Sequence, residues 1–222
     1  MAEKKKIALV SITINAVGPM TDYIAANHPE LRVTNYLDGF LMEKIKQEGG
    51  ITDESMGRML HMLTSACRDG NDVIIITCTV FTKYREQFEK LFSLPIISAD
   101  SAMLTETASH DGRTAIIYSF PGTYNTTLNG YRAACAALGR PDEVDMVLAE
   151  GAFEAAQNGN LAESDRIVRE KILALDGQYD NIALAQISLA GAAQGVALNH
   201  ASLFSSPACA VRSALKLLAE RG

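Results

Sequence analysis

The chain lacks the marks of several protein classes. Its four cysteines, Cys67, Cys78, Cys135 and Cys209, lie far apart with no paired spacing. That excludes a disulfide framework and a thiolate zinc site. No His/Cys/Asp cluster has ligand spacing, and no glycine-rich phosphate loop follows a strand-like run, so no metal and no cofactor is expected. Excess positive charge is missing too. The net charge is −6 with signs interspersed, and the only run is Lys4-Lys5-Lys6. Nothing resembles the basic footprint of a nucleic-acid partner. There is no apolar stretch long enough for a signal peptide or a membrane span, so no membrane partner is expected and a reducing, cytoplasmic setting is the default. Gly/Ser linkers, low-complexity tracts and short-period repeats are also missing.

What remains is an ordinary globular composition, 48% apolar over 222 residues, enough for one large domain or two small ones. Strand-like runs alternate with helix-like stretches. Strands are expected at residues 7–11, 31–36, 73–77, 94–98, 114–118, 145–148 and 180–185. Helices are expected at about 20–27, from 51 to 68 with Thr52 or Asp53 as N-cap, after Cys78, and from 99 to 110. Further helices are expected at 123–138, 153–157, 161–175, after Gln186 and at 208–220, with residues 204–207 as a loop. Such alternation implies right-handed crossovers and parallel sheets.

A half-repeat stands behind this pattern. Asp72 through Thr77-Cys78-Thr79 aligns with Asp180 through Ala185-Gln186-Ile187, placing Cys78 opposite Gln186 in the alignment. The opening runs at 6–11 and 113–118 also match, each followed by a Pro/Gly loop. Buried strands resemble one another because Val, Ile and Ala recur in them. Two matched pairs in the same order nonetheless favour duplication. The expected fold is α/β: two pseudo-symmetric parallel-sheet halves with an active-site cleft between them. The halves are residues 1–98 plus 207–222, and 99–206.

Cys78 follows the run Val73-Ile74-Ile75-Ile76-Thr77 and precedes a helix-like stretch. A lone cysteine in an apolar run is most often structural. Here it falls at the carboxyl end of a parallel strand, where open α/β sheets bind ligands, and a helix N-terminus favours thiolate. The four histidines, His28, His61, His110 and His200, read as capping or solvated residues. Met56, Met59 and Met62 read as core filler.

With those residues laid out, the chain resembles the aspartate/glutamate/hydantoin racemase superfamily over nearly its whole length. The resemblance rests on Ser11-Ile12-Thr13, Thr77-Cys78-Thr79, Pro121-Gly122-Thr123, Ala185-Gln186-Ile187-Ser188 and Ser206-Pro207. It implies a cofactor-independent enzyme in which two cysteines work on opposite faces of a substrate carbon. One removes the proton α to a carboxylate and the other returns a proton. Cys78 falls at the first position. Gln186 falls at the second, and an amide has no pKa suited to acid–base work. In carrying one thiol the chain is also similar to arylmalonate decarboxylase, whose thiol protonates an enolate-like intermediate from one face, although there the surviving cysteine belongs to the other half.

The expected function is proton transfer at the α-carbon of a small carboxylic acid, with Cys78 as acid/base, an isomerase of the racemase type. A decarboxylase or other lyase protonating from one face is the alternative, and a non-catalytic carboxylate-binding protein is the alternative of a different class. Negative charge building on the carboxylate calls for donors. The candidates are the hydroxyls of Thr13, Thr79, Thr123 and Ser188, the N–H groups of Thr79 and Val80, and more weakly Ser11. Each hydroxyl, taken alone, equally fits a cap or turn role. Gln186 is read as donating an amide N–H to substrate, or else as satisfying backbone at a strand end. The expected partner is a small-molecule carboxylate. The oligomeric state stays open, a homo-oligomer being common for such folds.

Overall fold

The computed structural model describes residues 4–221. The chain forms two compact units. One contains the chain through Ala99 together with the segment from Ala210 onward, and the other is Asp100–Cys209.

The first unit is built on a four-stranded parallel sheet in the order β2-β1-β3-β4. Its strands are β1 (Lys6–Ser11), β2 (Arg32–Leu37), β3 (Val73–Ile76) and β4 (Ile96–Ser98). β3 is Val-Ile-Ile-Ile and all four residues are buried. A strand covered on both faces has no need of polar alternation, and β-branched side chains suit it. Ala8, Val10, Ile74 and Ile76 share one core cluster with Met59, Leu63, Phe81 and Phe88. Each of these side chains larger than alanine contributes about 1.5–3 kcal/mol on leaving water.

The helices of this unit are α1 (Val17–Asn27), α2 (Leu41–Gln47), α3 (Asp53–Arg68), α4 (Thr79–Thr82) and α5 (Arg85–Leu91). α3 starts where the sequence placed its cap. The Thr52 hydroxyl accepts from the Ser55 N–H and the Ser55 hydroxyl accepts from the Thr52 N–H, a reciprocal capping box. Thr52→Ala is expected to lower stability by about 1 kcal/mol, read as a shifted urea midpoint with unchanged slope.

The second unit repeats the plan. Its strands are β5 (Thr114–Tyr118), β6 (Val144–Leu148), β7 (Asn181–Leu184) and β8 (Ser202–Ser205), ordered β6-β5-β7-β8 and all parallel. Its helices are α6 (Ala99–Ala108, its first residue in the other unit), α7 (Tyr124–Leu138), α8 (Ala152–Gln157) and α9 (Leu161–Leu175). The last helix, α10 (Ser206–Glu220), begins in this unit and continues into the first.

Four expectations are corrected here. α2 was not foreseen; only Leu41 and Ile45 are buried on its two turns, too short a period to stand out. The helix expected after Cys78 is broken into α4 and α5 at Lys83 and Tyr84. The stretch after Gln186 is a 3₁₀ helix, Ile187–Ala193, not an α-helix. Residues expected as a loop at 204–207 instead finish β8 and start α10.

The repeat is exact enough to share individual hydrogen bonds. Asp72 Oδ2 accepts the Lys6 N–H at 2.7 Å, and Asp180 Oδ2 accepts the Arg113 N–H at 2.7 Å. Each aspartate thus joins the start of one central strand to the start of the other. At Asp180 the approach is so close that Gly112, at φ +100°, has no room for a Cβ against the carboxylate. Gly112→Ala combines that clash with a backbone conformation disfavoured for L-residues by roughly 1–2 kcal/mol. It is expected to destabilise the protein by at least about 2 kcal/mol, measured by urea unfolding.

Candidate active site

In the first unit, β3 ends at Ile76, but its ladder runs one residue further, because the Thr77 N–H donates to Val10 O at 3.0 Å. Cys78 is still extended, at φ −119° and ψ 119°, and serves as N-cap of α4. The Phe81 N–H donates to Cys78 O at 3.3 Å, and Phe81 is fully buried. So a buried anchor fixes the turn that carries Cys78. Thr82, at the end of that turn, pairs its hydroxyl with that of Ser98 at 2.6 Å. Cys78 is 7% exposed. No disulfide joins any of the four cysteines. Burial pushes the Cys67 thiol up in pKa. The dipole support expected for Cys78 is reduced, since α4 is a single turn rather than a long helix.

The second unit builds the same turn around Gln186. The Ala185 N–H donates to Ile117 O at 2.9 Å, and the Leu189 N–H donates to Gln186 O at 3.0 Å, with Leu189 buried as Phe81 is. Gln186 is extended at φ −122° and ψ 144°. Cys78 and Gln186 therefore occupy the same position in the two repeats.

The Gln186 side chain is tied down. Its Oε1 accepts the Ser119 N–H at 3.1 Å, and its Nε2 donates to Thr123 Oγ1 at 3.2 Å. Thr123 Oγ1 in turn donates to Phe120 O at 2.7 Å. This is the backbone-satisfying role at a strand end, with the Thr123 hydroxyl recruited as partner. Ser119 escaped the sequence reading because a backbone N–H leaves no signature in the residue type.

The other candidates divide by unit. Ser11 is buried, and its hydroxyl accepts from Thr77 Oγ1 at 2.8 Å, which joins the ends of β1 and β3. Thr13 caps the 3₁₀ turn Ile14–Ala16 through its backbone, without a side-chain cap. Thr79 is exposed and Val80 half-buried in the first turn of α4, where N–H groups have no intrahelical acceptor. These four lie with Cys78 in the first unit. Thr123 and the exposed Ser188 lie with Gln186 in the second.

One charged pair near the first group had no sequence signal. Arg58 donates to both oxygens of Asp38, each at 2.7 Å, and the Asp38 N–H donates to Ser11 O at 3.0 Å. The guanidinium holds the Asp38 carboxyl below the usual carboxylate range. A carboxyl lowered in the folded state stabilises above its unfolded pKa of about 3.9, and that contribution is lost as pH falls through the lower folded value. Three of the four histidines take partners away from both turns. His28 meets Glu30, His110 meets Glu106 O and packs on Phe204, and His200 meets Asp180. Among the described residues, no group of three His, Cys, Asp or Glu side chains is placed to hold a metal ion. No helix there is long and apolar enough to cross a membrane.

Two matching four-stranded parallel sheets, each with its strand-end turn after the third strand in sequence, define the class of fold. The chain belongs to the Asp/Glu/hydantoin racemase family, whose family model matches residues 20–214. The fold is also that of solved racemases. An aspartate racemase from Picrophilus torridus superposes with a TM-score of 0.69 at 9% identity, covering 97% of this chain and 94% of that one. A glutamate racemase from Bacillus anthracis gives 0.68 at 14%, covering 99% and 84%. An allantoin racemase from Klebsiella pneumoniae gives 0.68 at 14%, covering 97% and 88%. No curated protein sequence matches the chain.

Proposed function

We propose that the protein is a cofactor-independent enzyme that moves a proton at the α-carbon of a small carboxylic acid, with Cys78 as acid/base. The observation that carries this is Cys78's place in a racemase-family chain: it heads a turn fixed at the carboxyl end of a central strand. An unperturbed thiol near pKa 8.5 is already a few per cent thiolate at neutral pH, so modest help suffices. The exposed Thr79 hydroxyl, the N–H groups of Thr79 and Val80, and Thr13 are the donors suited to the substrate carboxylate in this unit. In the other unit the exposed Ser188 hydroxyl is the candidate, since the Thr123 proton is already donated to Phe120 O.

The matching position in the second repeat favours one-sided chemistry. Gln186 has no acid–base capacity, and both ends of its amide are engaged. A single thiol exchanges an α-proton with retention, or protonates an intermediate left by loss of a carboxylate. The second reading is therefore a decarboxylase or related lyase, which CO₂ release would reveal.

The test is incubation in D₂O with a panel of amino acids, hydantoins and malonates, followed by proton NMR. Loss of the α-proton signal with retained optical rotation is expected for at least one compound. Exchange should persist after dialysis against EDTA with nothing added back. Loss in EDTA with rescue by one divalent ion would overturn the mechanism. Ligand-dependent melting without exchange or CO₂ release would mark a binding protein instead.

A further inference from the structure

The two repeats can be compared position by position at the amino ends of their sheets. Thr114, Asn181 and Val144 hold the strand register in the second sheet that Ile7, Val73 and Val33 hold in the first. Each of β1 and β5 leads through a three-residue 3₁₀ turn into a helix, so Tyr131 of α7 matches Ile24 of α1. In both units a cleft opens between that helix and the second strand. The first is about 330 Å³, with Ile24, Leu31 and Val33 in its walls and neither carboxylate nor guanidinium. The second is about 510 Å³, with Thr114 and Tyr131 at its floor. Ile7, Ile24 and Val73 of one repeat thus become Thr114, Tyr131 and Asn181 in the other, and all six are 3% exposed or less. Aliphatic side chains fill these positions in the first unit. Polar ones are costly to bury unless they are well bonded. Here the bonds are long. The Tyr131 O–H donates to Thr114 Oγ1 at 3.3 Å, and the Asn181 amide donates to the same oxygen at 3.5 Å. About 2.7–2.8 Å is usual between hydroxyls. Thr114 Oγ1 receives both bonds, which leaves its own proton for an acceptor in the cleft, and the Tyr131 oxygen stays open to a donor. Packing does not call for these groups, whereas a polar ligand does.

We propose that this second cleft is a binding site for a small organic cation, an ammonium with a hydroxyl or amide group a few bonds away. The hydroxyl or amide meets the floor, accepting from Thr114 and donating to Tyr131. The ammonium goes to the rim, where four carboxylates, Asp111, Glu143, Asp145 and Asp180, stand with two guanidiniums, Arg113 and Arg140. Both guanidiniums are taken, Arg140 by Asp111 and Arg113 by Asp145. Asp180 accepts the Arg113 N–H and meets His200, and His110 meets Glu106 O. Glu143 is exposed and has no ion-pair partner among the described residues. An anion would have to take a guanidinium from its carboxylate. An ammonium finds Glu143 open and a surplus of negative charge around it. The site does not depend on the proton-transfer reading. It lies wholly in the second unit, where Thr114 and Asn181 begin the strands whose far ends carry Ser119 and Gln186.

Calorimetric titration of the full chain with glycinamide and with serinol tests this, with inorganic phosphate as competitor. At least one of the two amines is expected to bind with a Kd below about 1 mM, and phosphate should not displace it. Tyr131→Phe removes one hydroxyl and keeps the ring. It should weaken that amine by roughly 2- to 10-fold, the worth of one hydrogen bond. Glu143→Gln should weaken it by roughly 2- to 5-fold, as for an exposed ion pair. The Thr114→Ile, Tyr131→Ile double variant installs the floor of the first unit and should abolish binding. Where that variant does not fold, Tyr131→Phe decides. Gln186→Ala should bind the amine as the wild type does. Failure of both amines to bind below that limit, or an affinity unchanged in Tyr131→Phe, would overturn the site. Affinity unchanged in Glu143→Gln, or displacement by phosphate, would overturn the choice of a cation. Loss of binding in Gln186→Ala would move the amine to the other end of the sheet and overturn the proposal as well.

Discussion

Cys78→Ala is expected to cut α-proton exchange by on the order of 10²–10⁴-fold, the usual contribution of a positioned acid–base group. The loss should fall on kcat, because the thiol acts on the proton and not on the carboxylate that holds the substrate. Folding should be nearly unaffected. Cys78 is a small side chain at the edge of a core already filled by Phe81, Phe88 and the β3 isoleucines, so its truncation leaves a small gap. Cys78→Ser gives the sharper comparison. It keeps size and hydrogen bonding but replaces a thiol, an ionisable group, by a hydroxyl that does not ionise in water's usual range. Its exchange rate should lie near that of Cys78→Ala. Cys67→Ala, in α3, should exchange at the wild-type rate. Full exchange in Cys78→Ala, followed by NMR in D₂O, would remove Cys78 from the chemistry.

How much of this could be read from the chain depended on how local each cause is. β3 declares itself because four buried β-branched residues in a row have few other uses. The Thr52 cap is a matter of neighbours three residues apart. The alignment of Asp72 with Asp180 turned out to mark a shared structural bond, 66 and 67 residues in reach. Where the cause is distant, the reading failed. β8 has serines at both ends, poor strand formers by propensity, and it is a strand because it pairs with β7. The helix expected after Gln186 is a 3₁₀ segment whose buried residues, Leu189 and Ala192, recur at three rather than 3.6. Gln186 was recognised as the odd residue of the repeat, but its partners are a main-chain N–H and a hydroxyl more than 60 residues away. Phe120 and Phe153 meet only because β5 and α8 are brought together in the fold.

Gln186→Cys is expected to create or raise racemisation. Gln186 matches Cys78 in strand register, in backbone conformation and in the hydrogen bond that closes its turn. A thiol there would stand on a scaffold of the same shape as the one that carries Cys78. Racemisation needs a proton removed from one face and returned to the other, and the wild-type chain offers a thiol at one of the two equivalent positions only. Supplying the second acid–base group should raise the rate of enantiomer interconversion by on the order of 10²-fold or more. The substitution also releases the Ser119 N–H and the Thr123 hydroxyl from Gln186. Thr123 is half-buried, where water can replace the lost partner, but Ser119 is buried, so the stability cost should fall at about 1–3 kcal/mol. The measurement is decay of optical rotation for a compound that exchanges in D₂O, run beside Gln186→Ala and the Cys78→Ala, Gln186→Cys double variant. Interconversion should rise in Gln186→Cys alone and disappear in the double variant. Racemisation by the wild-type protein as fast as by Gln186→Cys would mean that another group delivers the second proton. Cys78 and the residue at 186 would then not be the two proton carriers.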